Sequence, residues 1–293
     1  MRRINNIFSL ALIASITLFS CSEEQPIVDD LSVSDEVIAQ IAALGFDVNN
    51  FVPTKIDNGY LVEGDIYLTD ATIAEMGRGN LVPVVEQYST NNLVNAGGGR
   101  VITIYAPEEG ASSGGGGKGK KGGGGGDGYS PAMIAGLDEA IARYNAENLS
   151  ISFQRVTSST GADIVMTRLS KRDESRGVLG SAGFPTSQGD PYGEIKMSGV
   201  LESSYGLSTN GIATIIAHEM GHCIGFRHTD YFDRSISCGG GTSNEGAGSV
   251  GANHIPGTPT GASLSAKSWM LACTDGSNRP FNNDDKTALD YLY

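Results

Sequence analysis

Residues 217–230 read AHEMGHCIGFRHTD and hold three of the chain's four histidines within eleven positions. Residues four apart on a helix share one face, so His218 and His222 can offer two imidazoles to a single ion. Glu219 is turned about 100° from His218 and stands beside that ion, not on it. Gly225 can adopt a left-handed backbone and end the helix, which lets His228 return as a third nitrogen. Three protein nitrogens leave the fourth corner of a tetrahedron open to water, the catalytic arrangement for zinc. The competing reading is a buried helix with satisfied core histidines, which explains neither the glycine nor the third histidine. His254, in the loop-like NHIPGTP, is not counted as a ligand.

The surrounding sequence predicts an α+β domain of roughly 200 residues, large enough for one real core. RVITIYA, LSISFQRV and ADIVMTRL have strand composition, and LGSAGFPTSQGDPYGEIKMSG reads as two short strands around a Gly/Pro turn. YSPAMIAGLDEAIARYNAEN reads as a helix: Ser130 caps it, Pro131 fits its first position, and Ile134, Leu137, Ile141 and Tyr144 recur at helical spacing. TNGIATIIAHEMGHCIGF is predicted helical as far as Gly225, and DDKTALDYLY closes the chain as a last helix. Upstream, SDEVIAQIAALG is a short helix capped by Ser34 and ended by Gly45, GYLVEGDIYLT is a strand interrupted by Gly-Asp, and DATIAEM is a further helical turn or two. The tract GASSGGGGKGKKGGGGGDG, within residues 110–128, cannot bury apolar surface. It is read as a tolerated insertion, with a hinge or processing site as the alternative.

The chain opens with the basic MRRINN and the apolar IFSLALIASITLF, too short to span a bilayer as a helix. LFSCS follows, so residues 1–20 resemble a bacterial lipoprotein signal with Cys21 as the lipidated N-terminus; an ordinary signal peptide is the alternative. The expected location is a lipid-anchored protein of the outer membrane. The acidic residues right after Cys21 are also compatible with display on the cell surface. Residues 22–96 hold 13 acidic and 2 basic side chains, part of a formal net charge of −13 for the whole chain. That balance argues against nucleic acid as a partner, because phosphate binding needs clustered Lys and Arg. Export also permits disulfides. Cys238 and Cys273 lie in loop-like sequence and are the favoured pair, leaving Cys223 as a small buried hydrophobe.

HEMGHCIGFRH matches the metzincin signature H-E-x-x-H-x-x-G-x-x-H. With AIARYN, ADIVMTR, GSAGFP, GEIKMSG, HIPGTPTG and SWM, the run from about residue 35 onward resembles the bacterial dual-action HEIGH metallopeptidases more closely. The resemblance implies a metzincin-like catalytic domain over residues 97–293: a twisted mixed sheet, a backing helix, an active-site helix and a methionine turn. KSWML supplies that turn, with Met270. The implied reaction is peptide-bond hydrolysis with a zinc ion, and Glu219 acting as general base. Trp269, beside Met270, reads as core packing. The chain lacks the extra metal-contacting tyrosine of astacins and serralysins, so three protein ligands are expected, and Thr229 after His228 matches no well-known metzincin branch. In metzincins an edge strand pairs with the extended substrate. LGSAGFP takes that place, which assigns peptide binding to Gly180, Ser181, Ala182, Gly183 and Phe184, against the reading of an ordinary hairpin arm.

LVEGDIYL is similar to the F-x-G-D motif of astacin pro-segments, with Val62 in place of phenylalanine and Gly64 and Asp65 retained. The resemblance implies that residues 21–96 form an acidic tether and inhibitory pro-segment, with Asp65 as a fourth ligand in the latent form. Gly-Asp is also a common turn pair, and a plain β-turn is the alternative. The expected partners are therefore a protein or peptide substrate and a lipid anchor. A catalytically silent lipoprotein binding module on the same fold is the rival reading.

Overall fold

The computed structural model describes residues 32–76, 87–110, 128–247, 250–262 and 267–293. The expected signal segment at residues 1–20, Cys21 and residues 111–127 of the glycine tract lie outside the described residues. Helix α1 (Asp35–Ala43) begins where the Ser34 side chain accepts from Val37 N and ends at Gly45, φ 93°. Strands β1 (Thr54–Ile56), β2 (Gly59–Val62) and β3 (Ile66–Leu68) form an antiparallel meander, followed by α2 (Asp70–Met76). GYLVEGDIYLT is thus a hairpin, not one interrupted strand. Glu63 and Gly64 take φ of 53° and 96°, which reverses the chain and leaves Asp65 at the exit of the turn.

Beyond it come β4 (Tyr88–Ser89), β5 (Arg100–Tyr105), α3 (Pro131–Asn145), β6 (Ile151–Val156), β7 (Ile164–Arg168) and α4 (Lys171–Ser175). Then follow β8 (Gly180–Ala182), β9 (Glu194–Met197), α5 (Thr209–Cys223), α6 (Ser235–Cys238), β10 (Asn253–His254) and α7 (Asn283–Leu292). Eight strands form one sheet in the order β1-β2-β3-β8-β9-β7-β5-β6. The pairs β5/β6, β5/β7 and β7/β9 are parallel, and α3 supplies the crossover from β5 to β6. β8 runs antiparallel to β9 and parallel to β3.

Ile102, Ile104, Phe153, Met166 and Ile195 from the sheet share a core with Leu137, Ala140, Ile212 and Ile216 from α3 and α5. Each such large side chain contributes about 1.5–3 kcal/mol on burial. The two helices pack tightly because Gly136 has no side chain: a Cβ there would meet Ile212 Cγ2 at 2.5 Å. α5 is buried on all sides from Gly211 to Cys223, as expected of a helix that is apolar all round. Among the described residues no helix is long and apolar enough to cross a membrane.

Two expectations change. First, β8 is not an edge strand: β3, from the acidic N-terminal region, lies along its outer side, with Ala182 N donating to Asp65 O at 3.1 Å. Second, residue 96 is not where the N-terminal region separates from the catalytic part. β4 pairs with β10, Arg227 N donates to Tyr88 O, and Thr90 N donates to Gly225 O. Residues 87–96 therefore belong with the active-site loops.

Candidate metal centre

The active-site helix starts at Ser208, whose side chain accepts from Gly211 N at 3.2 Å. It stops at Cys223, two residues short of Gly225. Gly225 N donates to His222 O and Phe226 N to Gly221 O, both at 2.9 Å, the paired bonds of a Schellman motif. Gly225 sits at φ 106°, and a Cβ there would meet Leu93 Cδ2 at 2.8 Å and Asn92 O at 2.9 Å. The reversal it permits carries His228 back over the helix, as its place in the sequence predicts.

Each histidine is oriented through its Nδ1. His218 Nδ1 faces Trp269 O at 2.9 Å, His222 Nδ1 faces Phe226 O at 2.9 Å, and His228 Nδ1 faces a carboxylate oxygen of Glu245 at 2.6 Å. All three partners are acceptors, so the Nδ1 atoms carry protons and the Nε2 lone pairs are the ones an ion would use. Those lone pairs converge: His222 Nε2 and His218 Nε2 are 3.0 Å apart. Asp65 Oδ2 lies 3.0 Å from His228 Nε2 and 3.6 Å from His218 Nε2. Asp65, His218, His222 and His228 present ligand atoms all within 4.8 Å of one another. Four acceptors facing one point repel unless a cation lies between them, and three imidazoles with one carboxylate suit zinc. The residues present fit that ion.

Electrostatics follow from burial and crowding. Burial works against charge on Asp65, yet His228, His218 and Arg234 hold its carboxyl well below the usual range. Burial lowers His228, but Asp65 and Glu245 outweigh it and push the imidazole up to about 10. Burial raises Glu245, while His228, Arg234 and Arg227 bring it down to about 2. For Glu219, burial comes first and the Asp65 charge second, and together they raise its carboxyl well above the ordinary range.

Glu219 lines one cavity with His218 and Asp65, and its Oε2 is buried without a hydrogen-bond partner among the described residues. Gly180 makes room for it, since a Cβ there would stand 2.5 Å from Glu219 Oε1. Met270 lies beneath the helix, close enough that a Cβ on Gly221 would meet its Sδ at 2.5 Å. Gly180, Ser181 and Ala182 form β8 beside the centre; Gly183 sits under the Tyr192 ring, and Phe184 meets His222 edge-on at 5.5 Å between centroids. Cys238 and Cys273 form a disulfide with Cα atoms 5.1 Å apart, and Cys223 is free and buried. His254 stays outside the group, its Nε2 against Thr258 O at 3.2 Å.

Sequence reading missed Glu245, Arg234 and Arg227. Glu245 is fully buried, and Arg234 Nη1 donates to it at 2.9 Å and also to Glu63 O. Arg227 Nη2 lies 3.5 Å from Glu245 and 3.8 Å from Glu63. The one available signal was a lone acidic residue in the polar, glycine-rich stretch GGGTSNEGAGS. Trp269 is core, as read, but its carbonyl also orients His218.

A mixed sheet, a buried helix ending in a Schellman turn, and three converging imidazoles above a methionine turn define a metal-dependent hydrolase of metzincin-like architecture. The family model described as dual-action HEIGH metallo-peptidase matches residues 60–293, and the chain belongs to that family. It is a metallopeptidase, acting on protein or peptide, with a donor set able to hold a metal ion and consistent with zinc. Among solved structures, the crystal structure of myroilysin is similar at 15% identity, over 71% of this chain and 94% of that chain, with a TM-score of 0.31. No curated protein matches.

Proposed function

We propose that the chain is a zinc endopeptidase made as a latent lipoprotein, held inactive by its own N-terminal segment. The observation that carries this reading is Asp65. It stands among the three histidines at the corner a catalytic water needs, and its strand β3 lies along β8, where an extended substrate would pair. In this reading His218, His222 and His228 hold the ion, and Asp65 is the fourth ligand until it is withdrawn. The withdrawn part ends before Gln87, since residues 87–96 are hydrogen-bonded into the catalytic loops. Anchoring through Cys21 would tether the enzyme to the outer membrane.

Bound zinc supplies Lewis acidity, lowering the pKa of a water and polarising the scissile carbonyl. The chain's own residues do the rest. Burial raises the Glu219 carboxyl most, and withdrawal of Asp65 removes the second cause and opens the site to water, so the carboxylate is better placed to accept the proton of the attacking water. Glu219 then returns that proton to the leaving amine. The backbone of β8, freed of β3, pairs with the extended substrate and fixes the carbonyl beside Glu219.

The test compares three full-length proteins on a casein substrate, each with and without a chelator. Asp65→Ala should show chelator-sensitive cleavage above the unaltered chain. Adding Glu219→Gln should remove it by a factor of about 10²–10⁴. A chain that stays inert with Asp65→Ala, and again after residues 32–76 are removed, would favour the silent binding module.

A further inference from the structure

Beside Glu219 and His218 the structure holds a cavity of about 240 Å³. Leu179, Ile215 and Leu271 give it apolar walls, and Gly64 and Asp65 of the N-terminal hairpin close one side. Its other charged lining groups are two arginines, Arg234 and Arg279. Both are more than nine-tenths buried, at 4% and 8% exposure. A desolvated guanidinium is costly to leave underused, because each buried N–H without an acceptor forfeits its hydration.

Arg234 is underused. Its Nε is buried with no hydrogen-bond partner among the described residues, and its Nη2 has only the sulfur of Cys238 at 3.9 Å. Nη1 donates to Glu245 and to the Glu63 carbonyl, and the Phe51 ring stacks on the guanidinium at 4.2 Å. Two of those three contacts, Phe51 and the Glu63 carbonyl, come from the N-terminal segment and leave with it. Arg279 donates to Cys273 O and to Asp275, each at 3.3 Å, and Asp275 is itself largely exposed. Five N–H groups on each arginine exceed these acceptors.

The geometry points to this cavity as the specificity pocket for a substrate residue with a carboxylate side chain, aspartate or glutamate, next to the scissile bond. The apolar walls take the methylenes, and Arg234 and Arg279 take the carboxylate through charge-assisted hydrogen bonds. A neutral amide of the same shape would leave the arginines with a weaker acceptor. This inference rests on the peptidase reading and names its substrate class.

The experiment uses the full chain carrying Asp65→Ala, loaded with zinc, and has two arms. In the first, paired peptides differ only as Asp against Asn, or Glu against Gln, at the residues flanking the cut. The acid should be cleaved at least about tenfold faster in kcat/KM, and Arg279→Gln should shrink that ratio while Arg279→Lys restores part of it. Equal rates for acid and amide would overturn the inference while leaving the peptidase reading intact. The second arm needs no turnover: calorimetric binding of N-acetyl-glutamate against N-acetyl-glutamine to the same protein. Tighter binding of the acid that weakens in Arg279→Gln supports the pocket even if no peptide is cut, an outcome that would sink the catalytic reading alone. Indistinguishable binding of the two probes counts against the pocket. Arg234→Gln is the companion variant, and Arg279 carries the test if loss of the Arg234–Glu245 contact prevents folding.

Discussion

The single carboxylate of Glu245 governs more of the centre than its place in a polar loop suggests. It receives the Nδ1 proton of His228 at 2.6 Å and so fixes which nitrogen of that ring faces the centre. Such partners of a metal-binding histidine typically change metal affinity 10–100-fold when altered. Glu245→Gln keeps an acceptor but loses the charge, so competition with a chelator should show zinc affinity lower by roughly tenfold or more. An unchanged affinity would mean that His228 is held by packing alone. At this scale the convergence of His218, His222 and His228, with Glu219 beside them and Gly225 at the turn, was legible because their spacing is local and helical. Glu245 was not, because it comes 17 residues after His228 through a stretch with no periodicity to place it.

At the scale of elements, the active-site helix depends on how it ends. Gly225 is left-handed at φ 106° and has no room for a side chain against Leu93 and Asn92. An alanine there carries both the left-handed penalty of about 1–2 kcal/mol and that steric conflict. Gly225→Ala should therefore lower the melting temperature and weaken metal binding together, since the same turn positions Phe226 O and His228. Loss of stability with full metal affinity would separate the turn from the site. The helix itself, and the Ser130 cap and hydrophobic spacing of α3, follow from local chemistry and are predicted by the sequence, whereas the sequence reading does not include the cap at Ser208. The one-turn helices α4 and α6 left too little pattern to read. The seating of β3 against β8 was hidden for a different reason. Pairing between strands more than a hundred residues apart is decided by the assembled sheet, and neither strand's composition names its neighbour.

At the scale of the whole molecule, the sheet is built from two sources. Strands β5 to β9 form the part of the sheet that follows residue 100, and β1 to β3 extend it from the N-terminal side. The apolar face of that extension has its own cluster, including Val62, Ile66, Leu68 and Phe46. Phe184, next to the centre, and Val250 are also members. The segment is therefore packed as a body, not merely threaded through the cleft. Its acidic composition, visible from the sequence, has a structural counterpart: Glu63 is turned inward toward Arg227 and Asp65 toward His228, while Asp47 accepts from the Ser243 hydroxyl.

The continuity of Asp65 with the rest of the chain has a consequence for timing. If Asp65 is the proposed latent ligand, its tether lets it compete at an effective concentration on the order of millimolar, which ordinary amounts of substrate do not match. Once the chain is nicked between the two parts, the same contacts become an ordinary bimolecular complex, and its occupancy falls with total protein. Freshly nicked protein should therefore stay quiet when concentrated and gain specific activity on dilution, read as cleavage rate per molecule across a dilution series. A flat series would mean that nicking alone releases the centre. If the series rises, the enzyme switches on where it spreads out, and the cut only sets the clock.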